Sequence, residues 1–296
     1  MELKQEHHYD INPLLEIASI KRSTFYYQKS LLSKEDKYDE AKKLIVSTYH
    51  QHKGRYGYRR ITFVLRNQHS LRINHKTVQK LMKELNLASK IRSKRYQSYK
   101  GEVGTTTPNL LLDKVVDEQN NKTTYVRNFQ TLTPNEKWTT DVTEFKVCGV
   151  KMYLSPLLDM YDHCVISYQV SKTPNLHLVT DMIEEALQTN QINDLILHSD
   201  QGWQYQHRKY QQILSSHEIK QSMSRKGNCL DNSIIENFFS HLKSEFYYLE
   251  EFISIDDFIK KLDNYINYYN NERLSLKLKG LTPIQYRNQS LHCNFL

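Results

Sequence analysis

Asp141, Asp200 and Glu236 stand in three short words whose neighbouring residues suggest what a carboxylate there would do: KWTTDVTEF at 137–145, LHSDQGWQY at 197–205 and RKGNCLDNSIIENFFSHLKSE at 225–245. Together they form an oxygen-only ligand set, which selects hard cations such as Mg2+ or Mn2+. In such a site Asp141 would bridge two ions roughly 3.5–4 Å apart, with Asp200 and Glu236 each completing one sphere. That arrangement suits in-line displacement at a phosphodiester without a covalent enzyme intermediate. Spacing alone says little, because 33 Asp+Glu in 296 residues put an acid at about every ninth position. Context says more.

Asp141 lies in an alternating, β-branched run (Trp138, Thr139, Thr140, Val142, Thr143, Phe145, Val147) that predicts a strand over 138–147. A carboxylate buried there is costly unless a cation or donors meet it. Leu195, Ile196 and Leu197 form a continuous apolar run typical of a central strand, predicted over 194–200. Asp200 then falls at the strand's carboxyl end, where open α/β sheets place ligands. Asp231 reads as the N-cap of a helix carrying Glu236. At roughly 100° per residue, Ile235, Phe239, Leu242 and Phe246 make one apolar stripe and Glu236, Ser240, Lys243 and Tyr247 its neighbour. The alternative for Glu236 is a solvated position on an amphipathic helix. Lys243, within about 20° of Glu236 around the helix, either directs its ammonium at a DNA phosphate or is a surface lysine. His198 lies near the ions or is a structural histidine, and Asn232 either orients Glu236 or satisfies the helix start.

Net charge is +8, with pI near 9.0, but its distribution is uneven. Residues 1–100 hold 22 Lys+Arg against 9 Asp+Glu, a balance of +13, while the remaining 196 hold 19 against 24, a balance of −5. The basic part suits phosphate contacts and counterion release; the acidic part gathers carboxylates that need divalent cations beside a DNA backbone. Cysteines 148, 164, 229 and 293 show no C-x-x-C pairing and read as reduced cytoplasmic thiols. His7-His8 lacks paired cysteines, so no structural zinc is expected. No apolar run approaches the roughly 18 residues of a membrane span, and no G-x-x-x-x-G-K-[ST] word offers a nucleotide-phosphate cradle.

Along the chain, LLEIASIKRSTFYYQK within 12–29 predicts two short helices, a helix-turn-helix or an ordinary helical hairpin. Helices follow over 37–51, 58–68 and 74–86. The last is capped by Asn74, has Val78, Leu81, Met82 and Leu85 on one face, and leaves Lys76, Lys80 and Lys83 outward in the pattern of a recognition helix. In KGRYGYRRITFVL at 53–65, Arg55, Arg59 and Arg60 alternate with Tyr56 and Tyr58 as candidate phosphate contacts, the alternative being a solvated basic face. Residues 89–133 lose periodicity and read as a basic linker or arm. Strands are expected over 150–159, 164–171 and 219–223, helices over 175–189 and 204–216, and an amphipathic helix with Phe258, Leu262, Tyr265 and Tyr269 inward. Those aromatics read as packing, with base stacking the alternative. The organisation is thus a helical segment (1–33), a helical DNA-binding domain (34–88), a linker (89–133), a core (134–248) and a helical extension (249–296).

The words W-x-T-D-x-T, H-S-D-x-G-x-Q-Y and K-G-N-x-x-D-N-x-x-x-E-N-F-F-x-x-L-K-x-E, with the tail YYNNERLSLKLKGLTPIQYR at 268–287, resemble the transposases of bacterial insertion sequences. The resemblance is to the second-reading-frame product of the family numbered three, whose core is similar to retroviral integrases. Thirty-five residues separate Asp200 from Glu236, the family's spacing. It implies an α/β core with a ribonuclease-H-like mixed sheet flanked by helices, preceded by an all-α, helix-turn-helix-like DNA-binding region. It also implies Asp141, Asp200 and Glu236 as catalytic ligands of two Mg2+ or Mn2+ ions, and terminal inverted repeats and target DNA as partners. A homodimer or larger assembly would bridge two ends, and cleavage and strand transfer would pass through a circular intermediate. Family members often carry an upstream frame with a longer helix-turn-helix and a zipper, so fusion to, or association with, such a protein is expected. The competing readings are a metal-dependent nuclease without strand transfer and a DNA-binding regulator or inactive remnant.

Overall fold

The computed structural model describes residues 11–32, 36–91, 107–117 and 122–293, and divides into two compact units, Met1–Ser89 and Lys90–Leu296. His7, His8 and most of the basic stretch after Ile91 lie outside the described residues.

The first unit is helical: α1 (Ile11–Ile17), α2 (Arg22–Leu32), α3 (Asp39–Gln51), α4 (Tyr58–Gln68) and α5 (His75–Glu84). The last three pack together through Ala41, Ile45, Ile61, Val64, Leu65, Val78, Leu81 and Met82, all buried. Helix α5 starts where its cap predicts, with the Asn74 side chain accepting from Lys76 N–H at 2.9 Å. Tyr56, fully buried, stacks on His52 with ring centroids 3.8 Å apart and fills the α3–α4 corner.

The second unit is built on a mixed sheet of β3 (Lys137–Thr140), β4 (Thr143–Val147), β5 (Val150–Asp159), β6 (Val165–Ser171), β7 (Ile196–Ser199) and β8 (Lys220–Met223). The long β5 pairs antiparallel with β3, β4 and β6, whereas β3–β7 and β7–β8 are parallel. Helices α6 (His177–Thr189), α7 (Trp203–Gln206) and α8 (Arg208–Ser216) connect these strands. Val179, Met182, Ile183, Tyr210 and Leu214 pack with Trp138, Leu157 and Leu197 in one core. This is the ribonuclease-H-like arrangement expected from the sequence.

The strand expected over 138–147 is interrupted at Asp141–Val142. The register against β5 is the same on both sides of the break, Thr140 opposite Leu157 and Thr143 opposite Leu154, so Asp141 stands opposite Pro156. Proline has no N–H to lend to a ladder. At the break the Val142 N–H donates to the Asp141 carboxylate at 2.7 Å.

The reading of 89–133 as a linker needs correction. Strands β1 (Leu112–Asp117) and β2 (Lys122–Arg127) pair antiparallel in a separate hairpin, Leu112 opposite Arg127. The chain leaves it along the core, where the Lys137 ammonium donates to the carbonyls of Asn128 and Gln130 at 3.0 and 2.8 Å.

Helix α9 (Ser233–Leu242) runs into a wider π-turn over Lys243–Tyr247, followed by α10 (Ile255–Asn271) and α11 (Pro283–Cys293). Phe258, Leu262, Tyr265 and Tyr269 are all buried, as packing requires. Two arginines hold this part of the chain through buried ion pairs. Arg273 donates to both oxygens of Glu245 at 2.7 Å, both residues being buried. Arg287 of α11 reaches Asp159 and Asp162 at 2.6 Å each. Removing one partner of a buried pair leaves a charge without compensation. Arg273→Met is therefore expected to lower unfolding free energy by about 3–5 kcal/mol, read as a shift in urea midpoint, and adding Glu245→Leu should restore much of it. An unchanged midpoint in the single variant would remove the pair from the fold's supports.

Candidate active site

Each of the three carboxylates sits where a regular element ends or begins. Asp141 occupies the break between β3 and β4. Asp200 follows β7 directly, and because Thr139 and His198 are register partners in the parallel β3–β7 pair, the two aspartates emerge from neighbouring strand ends. Glu236 lies in the first turn of α9, whose Ile235, Phe238, Phe239 and Leu242 are buried and whose axis packs across β3. All three are half-buried.

The turn after β7 fixes Asp200. Its Oδ1 accepts from Gly202 N–H at 2.8 Å. A β-carbon on Gly202 would lie 2.9 Å from that oxygen and 3.1 Å from Gln204 Oε1. Any larger residue would push the carboxylate aside, so the glycine of H-S-D-x-G serves close approach.

Withdrawal from water pushes the Asp141 carboxyl well above the usual range; the Asp200 carboxylate adds to this and Glu236 adds less. Val142 N–H and the Lys243 ammonium act in the opposite sense. Asp200 is raised by burial against the pull of Gly202 N–H, and Glu236 by burial. Lys243, half-buried with Nζ 5.6 Å from the Phe145 ring centroid, is lowered by burial while Asp141 and Glu144 hold its proton. The structure therefore brings Asp141, Asp200, Glu236 and Lys243 into one electrostatic neighbourhood. Their donor chemistry fits hard divalent cations: oxygen ligands only, partly desolvated, with mutual repulsion and one nearby ammonium. Among the described residues no three His, Cys, Asp or Glu side chains close on one point to cage an ion.

Other expected residues lie elsewhere or behave differently. His198 is fully buried with Nδ1 2.9 Å from Ser222 Oγ; burial pushes it down to about 4, and its charged neighbour is Asp231. It is a neutral histidine between two strands. Asp231 is not an N-cap, because a 3-10 turn over Cys229–Asn232 precedes α9 and Asp231 turns inward to Arg225 and Arg127. Asn232 opens α9 without a side-chain cap bond, and its buried Oδ1 has no hydrogen-bond partner among the described residues. Satisfaction of the helix start is therefore not its role.

In the first unit, Arg55 is only 6% exposed, which withdraws it from the phosphate contacts expected of it. Arg59 is exposed and lies over Tyr58 at 5.3 Å; Arg60 is half-buried over Tyr56 at 5.3 Å. Lys76, Lys80 and Lys83 are all exposed on α5. Sequence reading missed Arg127, Arg225 and Tyr205. The Tyr205 hydroxyl is buried beside Asp141 and Asp200, and the word S-D-x-G-x-Q-Y was its one local signal.

Comparison with known proteins agrees with this arrangement. Residues 132–229 and 236–291 match two families described as Integrase core domain, and 37–95 match an HTH-like domain. The putative transposase InsK of insertion sequence element IS150 from Escherichia coli K12 is 52% identical over 98% of this chain and 96% of its own. An uncharacterized transposase-like protein of Haemophilus influenzae is 46% identical over 78% of this chain and all of its own. The transposase InsF of IS3A from Escherichia coli K12 is 29% identical over 97% of each. Among solved structures, the HTLV-2 integrase catalytic core in complex with magnesium aligns at TM-score 0.40 and 18% identity over 53% of this chain and 99% of that one. From the motifs, the sheet and these relatives, the chain belongs to the IS3-type transposases of insertion sequences, integrase-family polynucleotidyl transferases with a ribonuclease-H-like core.

Proposed function

We propose that this chain cuts DNA at the ends of its insertion sequence and joins the resulting 3′-hydroxyls to a target, with Asp141, Asp200 and Glu236 as the DDE ligands of two divalent ions. The observation that carries this is electrostatic: three half-buried carboxylates are brought together from separate elements, Asp200 and Glu236 both push the Asp141 carboxyl up, and the Lys243 ammonium acts against them. Mg2+ or Mn2+ bound there would supply Lewis acidity to the attacking and leaving oxygens. Asp141, Asp200, held by Gly202, and Glu236, carried on α9, would hold the ions. Lys243 meets the phosphate beside the scissile bond with a charge already turned toward the carboxylates. Asn232, one turn before Glu236, offers on the same side of the helix an oxygen without a hydrogen-bond partner among the described residues.

The first unit acts as the DNA-binding domain and binds the element's terminal repeats. Its support is the +13 balance of residues 1–100 and the exposed Lys76, Lys80 and Lys83 on the third helix of an HTH-like domain. Two or more copies then hold two ends together. In this division of labour the helical segment (1–33), the DNA-binding domain (34–88), the core (134–248) and the helical extension (249–296) keep the limits read from the sequence, whereas 89–133 includes the β1–β2 hairpin.

Asp141→Asn, Asp200→Asn and Glu236→Gln keep shape but lose the charge that ions require. Each is expected to abolish Mg2+-dependent joining of a pre-cut end while leaving gel-shift affinity for that end within about twofold. In the same assay Lys243→Ala should lose joining yet retain Mn2+ binding. Joining at the parental rate by any carboxylate variant removes that residue from the ligand set.

The raised affinity of Asp141 for its proton has a definite sign. A metal ligand must be deprotonated, so ion uptake releases protons and Mn2+ affinity climbs with pH until the raised value is passed. With chelator, the folded state binds more protons than the unfolded one, so stability falls as pH rises from the ordinary carboxylate range toward that raised value. Saturating Mn2+ should reverse the slope. Calorimetry in buffers of different ionisation enthalpy checks the proton release; none at any pH from the ordinary carboxylate range upward would show that the Asp141 carboxyl is not raised in the free site.

Replacing Lys76, Lys80 and Lys83 together by alanine should weaken binding to all sequences and reduce the magnitude of the log K against log[salt] slope by roughly 2–3. An unchanged slope would place α5 away from DNA.

A further inference from the structure

Five residues before Glu236 in the chain, Asp231 is the most heavily bonded side chain of its loop. Asp231, 1% exposed, accepts from Arg225 N–H at 3.1 Å, from Arg225 Nε and Nη2 at 2.9 Å each, from Arg127 Nε at 2.7 Å and from Asn109 Nδ2 at 3.0 Å. Arg127 Nη2 donates in addition to Asn228 Oδ1 at 2.9 Å. These donors hold the carboxyl down to about 2, despite its burial.

The origins of the donors matter. Arg127 ends β2 and Asn109 precedes β1, so both legs of the hairpin are fastened to one carboxylate. Two further bonds extend the seam to β8: Leu110 N–H donates to Ser222 Oγ at 2.9 Å, and Thr107 Oγ1 to Gln221 Oε1 at 3.4 Å. Ser222 in turn meets His198 Nδ1. On the other side of the clamp, the loop 225–232 leads straight into α9. That loop has Gly227 in the left-handed region at φ 71°, exposes Lys226 and Leu230, and ends on an asparagine that makes no cap bond. Within the loop Arg225 gives Asp231 three of its five bonds, the hairpin gives the other two through Arg127 and Asn109, and Glu236 is in the first turn of the helix that follows.

We infer that Arg127 and Asp231 are positioning residues: through their ion pair the β1–β2 hairpin, which lies outside the catalytic sheet, fixes the start of α9 and so the placement of Glu236. The inference rests on the reading of Glu236 as a member of the reacting set. It gives the segment 107–128 a part in the active site from outside the catalytic sheet.

Arg127→Met in the full chain removes two charge-assisted bonds and leaves Arg225 to neutralise Asp231. Hydrogen exchange of the amides of 228–238 is expected to accelerate roughly tenfold or more, the loss of charged hydrogen bonds being released as local opening, while β3 and β7 exchange as before. In joining of a pre-cut end, turnover should fall by about tenfold with KM for the end changed less than about twofold, since contacts to DNA are intact. Arg127→Lys, which keeps the charge but not the planar fork, should recover part of both. Unchanged exchange over 228–238 with Arg127→Met overturns the inference, as does faster exchange with parental turnover. If Arg127→Met does not fold, Asn109→Ala, which removes one neutral donor, is expected to give a smaller change of the same pattern, and no change overturns the inference. Altered exchange in a chain whose parent joins no DNA would count against the function proposed for the carboxylates and leave the clamp standing.

Discussion

Keeping carboxylates partly out of water and within reach of one another is unfavourable in the free protein, and the catalytic unit is arranged around that cost. Burial and repulsion fall most heavily on Asp141, so the neighbouring structure must hold it against relaxation into solvent. It does so from three directions. The parallel pair of β3 and β7 aligns the two aspartates by register, Gly202 closes a turn on Asp200 that admits no side chain, and the apolar face of α9 presses Glu236 toward the sheet. A site strained in this way favours cations over protons only when the cations carry more than one charge, which agrees with an oxygen-only donor set.

Much of the core was legible because each element that positions an acid has a strong periodic signature. The continuous apolar run before Asp200 became β7, and the stripe Ile235, Phe239, Leu242, Phe246 became the buried face of α9 and its π-turn. The aromatic spacing of 258–269 translated directly into packing. The cap at Asn74 set the start of α5 for a local reason, a side chain two residues from its donor.

What was not legible depends on partners distant in sequence. Asp231 has the look of a helix cap because caps are recognised locally, yet arginines at 127 and 225 take it inward, the first from 104 residues away. The hairpin was hidden for the same reason: its strands are short, and much of what anchors them belongs to Ser222 and Asp231. Arg55 is one of several alternating basic residues, and nothing in that alternation marks which of them turns inward. The break at Asp141 needs knowledge of which residue stands opposite.

That opposite residue gives Pro156 a meaning beyond its own strand. A sheet closed without interruption between β3 and β5 would bind the Asp141 backbone into the regular pleat, where its side chain would have to take whichever face the alternation dictates. With no N–H across from it, the strand is free to bend at one rung, and the carboxylate can leave the pleat without tearing the register on either side. The proline is thus a permanently open stitch in an otherwise continuous seam. Its chemistry lies in what it cannot donate, and a residue that restored the missing donor would make the sheet more regular while drawing the central carboxylate back toward it.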